Sequence, residues 1–203
     1  ANNSVRVSDE FMRAVENGEP FGLRARTTGE VIETLDAKEL FGKMAKAAWE
    51  CADPGIQYDD TINDWHTNPE TGRINASNPC SEYMSLDNSS CNLASLNLMK
   101  FLKDDGTFDS RNFVKAVELV ITAMDISICF ADFPTEPIAE TTRKFRQLGI
   151  GYANLGALLM ATGHAYDSEG GRALAAAITS LMNAVAYRRS AELAGVVGPY
   201  EGY

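Results

Sequence analysis

The first half of the chain contains short segments whose apolar side chains recur at every second position, a spacing that is typical of β-strands. Strands are predicted at 2–8, at 21–26 and at 31–35, the last two around the turn "TTGE". The sequence "IQY" at 56–58 is predicted to form a buried strand, and "NPETG" at 68–72 predicts a turn.

Two helices are predicted between these strands. Ser8 caps a short helix that ends at Gly18, and Asp36 with Glu39 forms a capping-box-like start for a longer one. The apolar face of the longer helix consists of Leu40, Met44, Ala47, Ala48 and Cys51. This helix is predicted to stop before "DPG".

Helical spacing dominates the second half, after an extended segment predicted at "CNLASLNLMKFL". A long helix is predicted at 109–130, capped by Asp109 and ended by two prolines, Pro134 and Pro137. The side chains predicted to line it are Phe113, Val117, Val120, Met124 and Ile128. "LGIGYANLGALLMATG" predicts a short strand or turn running into a helix, and a last helix is predicted at 168–193. Alternating strands and helices indicate the α/β class, with a helix-rich second half.

Composition narrows the class of protein without naming a function. The chain has 203 residues, of which 45% are hydrophobic and 23% charged, values typical of a globular protein. It contains no apolar run long enough to span a membrane and no secretory signal, so we expect no membrane association. Because it lacks an initiator Met and starts on a strand-like pattern, we expect it to begin inside a longer protein.

The net charge of −10 argues against a nucleic-acid partner, which would favour a basic surface. It leaves a nucleotide substrate open, because backbone N–H groups can hold a small phosphate. The four cysteines, Cys51, Cys80, Cys91 and Cys129, form no CxxC pair and are too sparse for a disulfide scaffold. We therefore expect a reducing, cytoplasmic location. Cys51 and Cys129 are predicted to be packed core thiols of their helices.

The stretch "NPCSEYMSLDNSSCN", at 78–92, is the most unusual part of the sequence. In an extended chain, Asn78, Cys80 and Glu82 would share one face, and Pro79 opposes a helix. An amide, a thiol and a carboxylate on one face suit proton-coupled redox chemistry on a hydroxyl-bearing substrate. Two buried structural thiols around a loop remain the alternative interpretation.

Two other kinds of site are weaker candidates. A metal site formed by Cys80, Cys91 and His66 matches no zinc spacing, so no metal ligand is predicted. "GIGYANLG" has glycines like those of a dinucleotide-binding loop, but it lacks the GxGxxG spacing and a long preceding strand. Close packing of a helix is the simpler explanation of these glycines.

Together, "NPCSEY" and "SCNLASLNL" resemble the finger-loop region of ribonucleotide reductases, most closely the adenosylcobalamin-dependent (class II) enzymes. "NNSVRVSDEFM", "ADPGIQYDDTIN", "GRINASNPCSEY" and "FRQLGIGYANLGALLM" resemble further segments of those enzymes in the same order. The resemblance implies that 1–203 is part of a ten-stranded α/β barrel that continues beyond both ends. It also implies a central finger loop at about 76–92.

The resemblance implies a role for each residue of this stretch. Cys80 would hold a thiyl radical that abstracts the 3′-hydrogen of a ribonucleotide, and Glu82 would take the proton of the 3′-hydroxyl. Asn78 would orient that carboxylate, and Cys91 would be one half of a redox-active pair. The activity implied is reduction of ribonucleoside diphosphates or triphosphates to 2′-deoxyribonucleotides, for DNA precursor synthesis and repair.

The resemblance also implies a cofactor and partners. Adenosylcobalamin would generate the radical by cobalt–carbon homolysis, and a thioredoxin-like protein would reduce the cysteine pair. Allosteric deoxynucleotide effectors would bind outside this chain, and a homodimer is possible. Since the partner of Cys91 is expected upstream of residue 1, the chain alone is expected to lack a complete site. The large subunit of a diiron-dependent reductase and a non-catalytic thiol- or metal-binding module remain the alternatives.

Overall fold

The structure, a computed structural model, describes residues 2–203. The chain divides into two compact units, the first ending at Asp87 and the second running from Asn88 to Tyr203. The segment 76–92 that was predicted as one finger loop crosses this division.

The first unit contains short strands and helices in alternation. They are β1 (Ser4–Val7), α1 (Asp9–Asn17), β2 (Pro20–Arg24), β3 (Val31–Asp36), α2 (Ala37–Cys51), β4 (Gly55–Tyr58), α3 (Asp59–Asp64), β5 (Ala76–Ser77) and β6 (Met84–Ser85). β1 pairs with β4 in parallel, whereas β2–β3 and β5–β6 are antiparallel pairs. The predicted turn at 68–72 contains a single 3-10 turn at Pro69–Thr71.

The predicted caps of the first two helices are confirmed. The Ser8 hydroxyl accepts a hydrogen bond from the Phe11 N–H at 3.2 Å, and the Asp36 carboxylate accepts one from the Glu39 N–H at 2.8 Å. α1 ends at Gly18, whose φ of 69° is left-handed and favours glycine. Both helices pack on one small core, formed by Val7, Phe11, Ala14 and Ala37 with partly buried neighbours.

The second unit is dominated by helices, as the sequence predicts. Its elements are β7 (Asn92–Asn97), α4 (Ser110–Ile128), α5 (Glu136–Phe145), β8 (Leu148–Ala153), α6 (Leu155–Ala161) and α7 (Glu169–Val197). β7 and β8 pair in parallel over six residues each, from Asn92 opposite Leu148 to Asn97 opposite Ala153. The predicted cap of α4 is confirmed, because the Asp109 carboxylate accepts a hydrogen bond from the Asn112 N–H at 3.0 Å.

The larger core lies in this second unit, between α4, α7 and the β7–β8 pair. Its buried residues are Leu98, Phe113, Val117, Ile121, Met124, Leu158, Ile178, Met182 and Val185. Partly buried side chains of both strands, among them Ala94, Leu96 and Ile150, pack against it. The β7–β8 pair is therefore anchored by an apolar layer.

The predicted α/β class is confirmed, but the residues described form four separate two-stranded sheets and no closed barrel. Two helices were missed. α3 has only six residues, too few for a periodic pattern, and α5 begins where Pro137 was predicted to end a helix. Proline is compatible with the first turn of a helix because its missing N–H would have no partner there.

Three further details differ from the sequence-based predictions. The segment predicted as extended through 102 leaves the strand at Asn97 for a 3-10 turn at Leu98–Phe101, and α7 continues past Gly195 to Val197. Cys51 and Cys129, predicted to be core thiols, are exposed. Cys51 is the last residue of α2 and Cys129 is the C-cap of α4, so both lie at helix ends.

The helices of residues 2–203 were also compared with the requirements of a bilayer. None of them combines the length and the apolar character that crossing a membrane requires.

Candidate active site

The segment around Cys80 is a β-hairpin with a tight turn. β5 and β6 pair Ala76 with Ser85 and Ser77 with Met84, and the turn lies between them. The Asn78 carbonyl accepts a hydrogen bond from the Ser81 N–H at 3.0 Å, which closes a four-residue turn with Pro79 in its second position. Pro79 suits this position because its fixed φ is the one the turn needs.

Cys80 lies at the tip of this turn, and its side chain is exposed. The Asn2 carboxamide contacts it, with the Asn2 Nδ2 donating to the Cys80 Sγ at 3.9 Å. The thiol is thus presented outward on the turn and is accessible to a molecule that approaches the tip.

Asn78 and Glu82 meet across the base of the turn. The Asn78 Oδ1 accepts a hydrogen bond from the Tyr83 N–H at 2.9 Å, so the Nδ2 end of the same carboxamide is left to donate to Glu82. This hydrogen bond, followed by one from the Glu82 backbone N–H, holds the pKa of the exposed Glu82 carboxyl below its ordinary value. Glu82 is therefore ionised at neutral pH and ready to accept a proton.

Asn78, Cys80 and Glu82 are brought together by a turn and not by an extended chain. The prediction of an extended chain with Asn78, Cys80 and Glu82 on one face is wrong, because Ser81 adopts a left-handed φ of 64° and reverses the chain. The turn, and not a period of two, returns Glu82 to Asn78. A non-glycine residue at positive φ is strained and needs support from its surroundings.

Cys91, the fourth predicted site residue, belongs to the second unit. It directly precedes β7, its side chain is half-buried, and all four cysteines of the chain are reduced. Gly149 of β8 leaves room for it: a Cβ at that position would lie 3.1 Å from the Cys91 Sγ and would collide with the Leu93 side chain. Gly149 therefore allows β7 and β8 to pack closely. The prediction that the glycines of "GIGYANLG" allow close packing of a helix is wrong for Gly149.

The residue before Cys91 is fixed from a helix. Thr142 of α5 is 2% exposed, and its hydroxyl oxygen accepts a hydrogen bond from the Ser90 N–H at 3.1 Å. The hydroxyls of Ser90 and Thr142 are 3.0 Å apart and share a second hydrogen bond. The start of β7 is thus tied to α5 as well as to β8.

His66 lines a cleft of about 400 Å³ in the first unit, together with Thr61, Ile62, Trp65, Thr67, Ile74 and Met84. Its Nδ1 accepts a hydrogen bond from the Asn68 N–H at 3.3 Å. Within residues 2–203, no three His, Cys, Asp or Glu side chains are grouped so that they could hold a metal ion.

Sequence reasoning missed the polar side chains that support the turn. Ser77 and Ser81 flank it, and the Gln57 Nε2 donates to both hydroxyls, at 2.6 Å and 3.0 Å. The only signal in the sequence was a glutamine inside the apolar strand "GIQY", because a buried carboxamide requires partners. Which partners it finds depends on the parallel pairing of β1 with β4, which no local pattern reveals.

The comparison with family models decides the relationship of this chain. The model described as "Ribonucleotide reductase, barrel domain" matches residues 1–203. The chain belongs to the ribonucleotide reductase family. The family resemblance inferred from the finger-loop motifs is thereby confirmed.

Individual relatives of this ribonucleotide reductase chain agree with that assignment. It is 79% identical to a vitamin B12-dependent ribonucleotide reductase of Streptomyces clavuligerus and 52% identical to one of Rhodopirellula baltica, over 100% of this chain in both. A vitamin B12-dependent ribonucleoside-diphosphate reductase of Mycobacterium tuberculosis is 36% identical over the same span. The chain covers 22%, 20% and 29% of these relatives, so it spans about a fifth to a third of their length.

Proposed function

We propose that the protein to which this chain belongs reduces ribonucleotides to 2′-deoxyribonucleotides by a thiyl-radical mechanism, for DNA precursor synthesis and repair. The observation that carries the proposal is the hairpin turn itself. It presents an exposed thiol at Cys80 beside a carboxylate at Glu82 that Asn78 holds ionised. A thiyl radical formed on such a thiol can take a hydrogen atom from carbon, and such a carboxylate can take the proton of the hydroxyl group on the same carbon.

The fold proposal follows from the family. We propose that residues 1–203 form part of a ten-stranded barrel whose remaining strands come from flanking sequence, with 76–92 as its central finger loop. The name of the matched family, a barrel domain, supports this. The exposed tip of the β5–β6 hairpin is the part of the chain that would enter the barrel.

In the first step, the Cys80 thiyl removes the hydrogen atom from C3′ of the substrate, which gives the Cys80 thiol and a radical at C3′. The Glu82 carboxylate, which its lowered pKa keeps ionised, accepts the proton of the 3′-hydroxyl. Asn78 keeps this carboxylate in place, since one end of its carboxamide is fixed by the Tyr83 N–H.

In the second step, the 2′-hydroxyl takes a proton and leaves as water. A pair of thiols supplies two electrons and two protons and becomes a disulfide: one proton leaves in the water, and the other forms the new C2′–H bond. We assign one of the two thiols to Cys91. Cys80 then returns its hydrogen atom to C3′, which restores the thiyl, and Glu82 returns its proton to the 3′-oxygen. The net change is ribonucleotide plus dithiol to deoxyribonucleotide, water and disulfide.

The proposed cofactor is adenosylcobalamin, in line with the names of the relatives as vitamin B12-dependent enzymes. When bound, it would supply the radical that is passed to the Cys80 sulfur. The residues present fit this role, because the Cys80 thiol is exposed at a turn tip and is in no disulfide. Cys80 is thus the residue of this chain that would face the cofactor.

The proposed partners follow from the same chemistry. The substrate is a ribonucleoside diphosphate or triphosphate, and a thioredoxin-like protein reduces the disulfide after each turnover. Deoxynucleotide effectors that bind outside this chain and a homodimeric assembly complete the proposal. A cycle that depends on reduced thiols fits the cytoplasm.

The test uses the full-length protein with adenosylcobalamin, a ribonucleotide and an external dithiol. We expect deoxyribonucleotide to form without any second subunit, and we expect Cys80→Ser to lose this activity down to the assay background. The matched control is Cys51→Ser, because Cys51 is also exposed in the first unit but its thiol donates to two backbone carbonyls, those of Ala47 and Asp53.

Each alternative has a distinct outcome in this test. Activity that appears only after addition of a metal-containing second subunit would indicate a diiron-dependent reductase. Stoichiometric zinc held through Cys80 and Cys91 would indicate a thiol-based metal module. Substantial activity in Cys80→Ser would refute the assignment of the thiyl radical to this residue.

A further inference from the structure

A continuous set of hydrogen bonds leads from the β1–β4 strand pair to the turn that carries Cys80. The parallel register places Arg6 opposite Gln57 at the centre of this pair. Gln57 is only 6% exposed and, with Thr142, is one of the two polar residues that are buried within residues 2–203. A buried carboxamide is costly unless its groups have partners, so the contacts of Gln57 indicate its role.

The carboxamide of Gln57 is fully engaged, and its two ends serve different parts of the unit. Its Oε1 accepts a hydrogen bond from the Arg6 Nη2 at 2.9 Å. Its Nε2 donates to the Ser77 hydroxyl at 2.6 Å and to the Ser81 hydroxyl at 3.0 Å. One side chain therefore joins the strand pair to both ends of the turn.

The two serines enclose the segment Asn78–Pro79–Cys80, and they act on the same carbonyl. The Ser77 hydroxyl donates to the Asn78 carbonyl at 2.6 Å, and the Ser81 N–H donates to that carbonyl at 3.0 Å. Ser81 is also the residue with a φ of 64°, the strained position of the turn. Gln57 thus holds the position at which the chain reverses directly after Cys80.

The other end of the network is anchored in the scaffold. The Arg6 guanidinium donates to the Asp59 carboxylate at 3.1 Å and to the Ile74 carbonyl at 2.7 Å, and its side chain is 16% exposed. A planar guanidinium with several fixed acceptors has little freedom to move. It therefore fixes the orientation of the Gln57 carboxamide and decides which end faces the serines.

We propose that Gln57 is a positioning residue that sets the location of the Cys80 sulfur through the hydroxyls of Ser77 and Ser81. The inference rests on the proposed function, since the consequence of misplacement is measured on the reaction of Cys80. It adds to the proposed mechanism a role for Gln57 of β4, a residue that touches neither substrate nor cofactor. Reactions between fixed groups are sensitive to displacements of about 1 Å, so a turn that has lost this support is expected to react more slowly.

The first test is Gln57→Met in the full-length protein, which keeps the length of the side chain and removes both donors. We expect kcat to fall roughly 10- to 100-fold with little change in KM, because the substrate still binds but the sulfur is misplaced. Gln57→Glu keeps an acceptor for Arg6, and its carboxylate can accept a hydrogen bond from the Ser81 hydroxyl in place of the one that the Gln57 Nε2 donates to it. It is expected to lose less kcat than Gln57→Met, and it remains informative if the methionine variant folds poorly.

A double-mutant cycle separates positioning from general packing. In a background with Ser77→Ala and Ser81→Ala, Gln57→Met should cause almost no further loss of kcat, because the groups through which it acts are gone. A readout without cofactor is amide hydrogen exchange. The Ser81 N–H should exchange faster in Gln57→Met, while the N–H groups of the β2–β3 pair keep their rates.

The outcomes distinguish this inference from the proposed function. Unchanged kcat in Gln57→Met, or an equal loss with and without the two serine hydroxyls, would overturn the positioning role. If Cys80→Ser is inactive while Gln57→Met is normal, only the role of Gln57 fails. If Cys80→Ser is active, the assignment of the thiyl radical to Cys80 in the proposed function fails.

Discussion

Cys80 lies at the tip of a hairpin whose strands have two residues each, whereas Cys91 directly precedes a strand of six residues that is paired along its whole length. The first thiol is exposed on a turn with few backbone hydrogen bonds. The second is half-buried beside a ladder that packs on the larger core. The two thiols are thus supported by different kinds of structure.

The difference extends to the side chains that hold each segment. The turn of Cys80 depends on a polar network around Gln57, and the residue before Cys91 is tied to Thr142. Gln57 and Thr142 are the buried polar residues of the part of the chain that the structure describes. Polar side chains can fix the turn of Cys80 and still leave its sulfur exposed, whereas the segment of Cys91 is held by the paired strands next to it.

The largest effect is expected when Cys91 is removed. In the full-length protein, Cys91→Ser should lose multiple turnover with an external dithiol, because the second step lacks one of its two thiols. Cys129→Ser is the control, since that thiol is exposed in the same unit but contacts Arg146. Steady turnover at the normal rate in Cys91→Ser would remove the distinction between the two thiols.

A smaller effect is expected from Asn78→Ser, and it is measured as the dependence of kcat/KM on pH. The Asn78 carboxamide is the main cause of the lowered pKa of Glu82, so its loss moves that pKa upward towards the ordinary value. In the proposed mechanism Glu82 acts in its ionised form, so activity is expected to be lost as the pH falls through its pKa. The acid limb of kcat/KM should therefore move to higher pH.

Asn75→Ser is the matched control for this profile. Asn75 lies in the same segment, but its Nδ2 donates to the Asp87 carboxylate at 3.0 Å and not to Glu82. We expect the acid limb to keep its position in this variant. If the acid limb of kcat/KM does not move in Asn78→Ser, the Asn78–Glu82 contact does not control the pKa of the group that accepts the proton.

The smallest effect concerns the space around Cys91. In Gly149→Ala, the added methyl group would contact the Cys91 Sγ and displace the exposed Leu93 side chain, at a cost of about 1 kcal/mol. That cost should make alkylation of Cys91 roughly fivefold faster if alkylation requires local opening. In Gly151→Ala the nearest atom is the Ser95 Oγ at 3.7 Å, an ordinary contact, so the alkylation rate should stay unchanged.

Most helices and strands could be predicted from the sequence, because helix caps and apolar spacing are signals that span only a few residues. Ser8, Asp36 and Asp109 cap the helices at which they were predicted. β7 lies in the segment predicted to be extended, and β8 lies where a short strand or turn was predicted. α5 was missed because Pro137 was interpreted as a terminator, although it occupies the first turn of that helix. Local signals thus located most of the elements. One exception was α5, because Pro137 can either end one helix or lie in the first turn of the next.

The candidate site was predictable in its residues and not in its geometry. Asn78, Cys80 and Glu82 were selected by spacing and resemblance, but the contact between Asn78 and Glu82 comes from a turn with a left-handed Ser81. The support from Gln57 could not be predicted, because it depends on the register of two strands about fifty residues apart in sequence. Non-local pairing of this kind leaves no periodic trace.

The central claim is that the turn at Cys80 exchanges hydrogen atoms and that Cys91 only supplies reducing equivalents. The direct measurement is the loss of label to solvent from adenosylcobalamin labelled with tritium at its 5′-carbon, in full-length Cys80→Ser and Cys91→Ser side by side. The account predicts that washout stops in Cys80→Ser and continues in Cys91→Ser. Washout that continues in Cys80→Ser would contradict it.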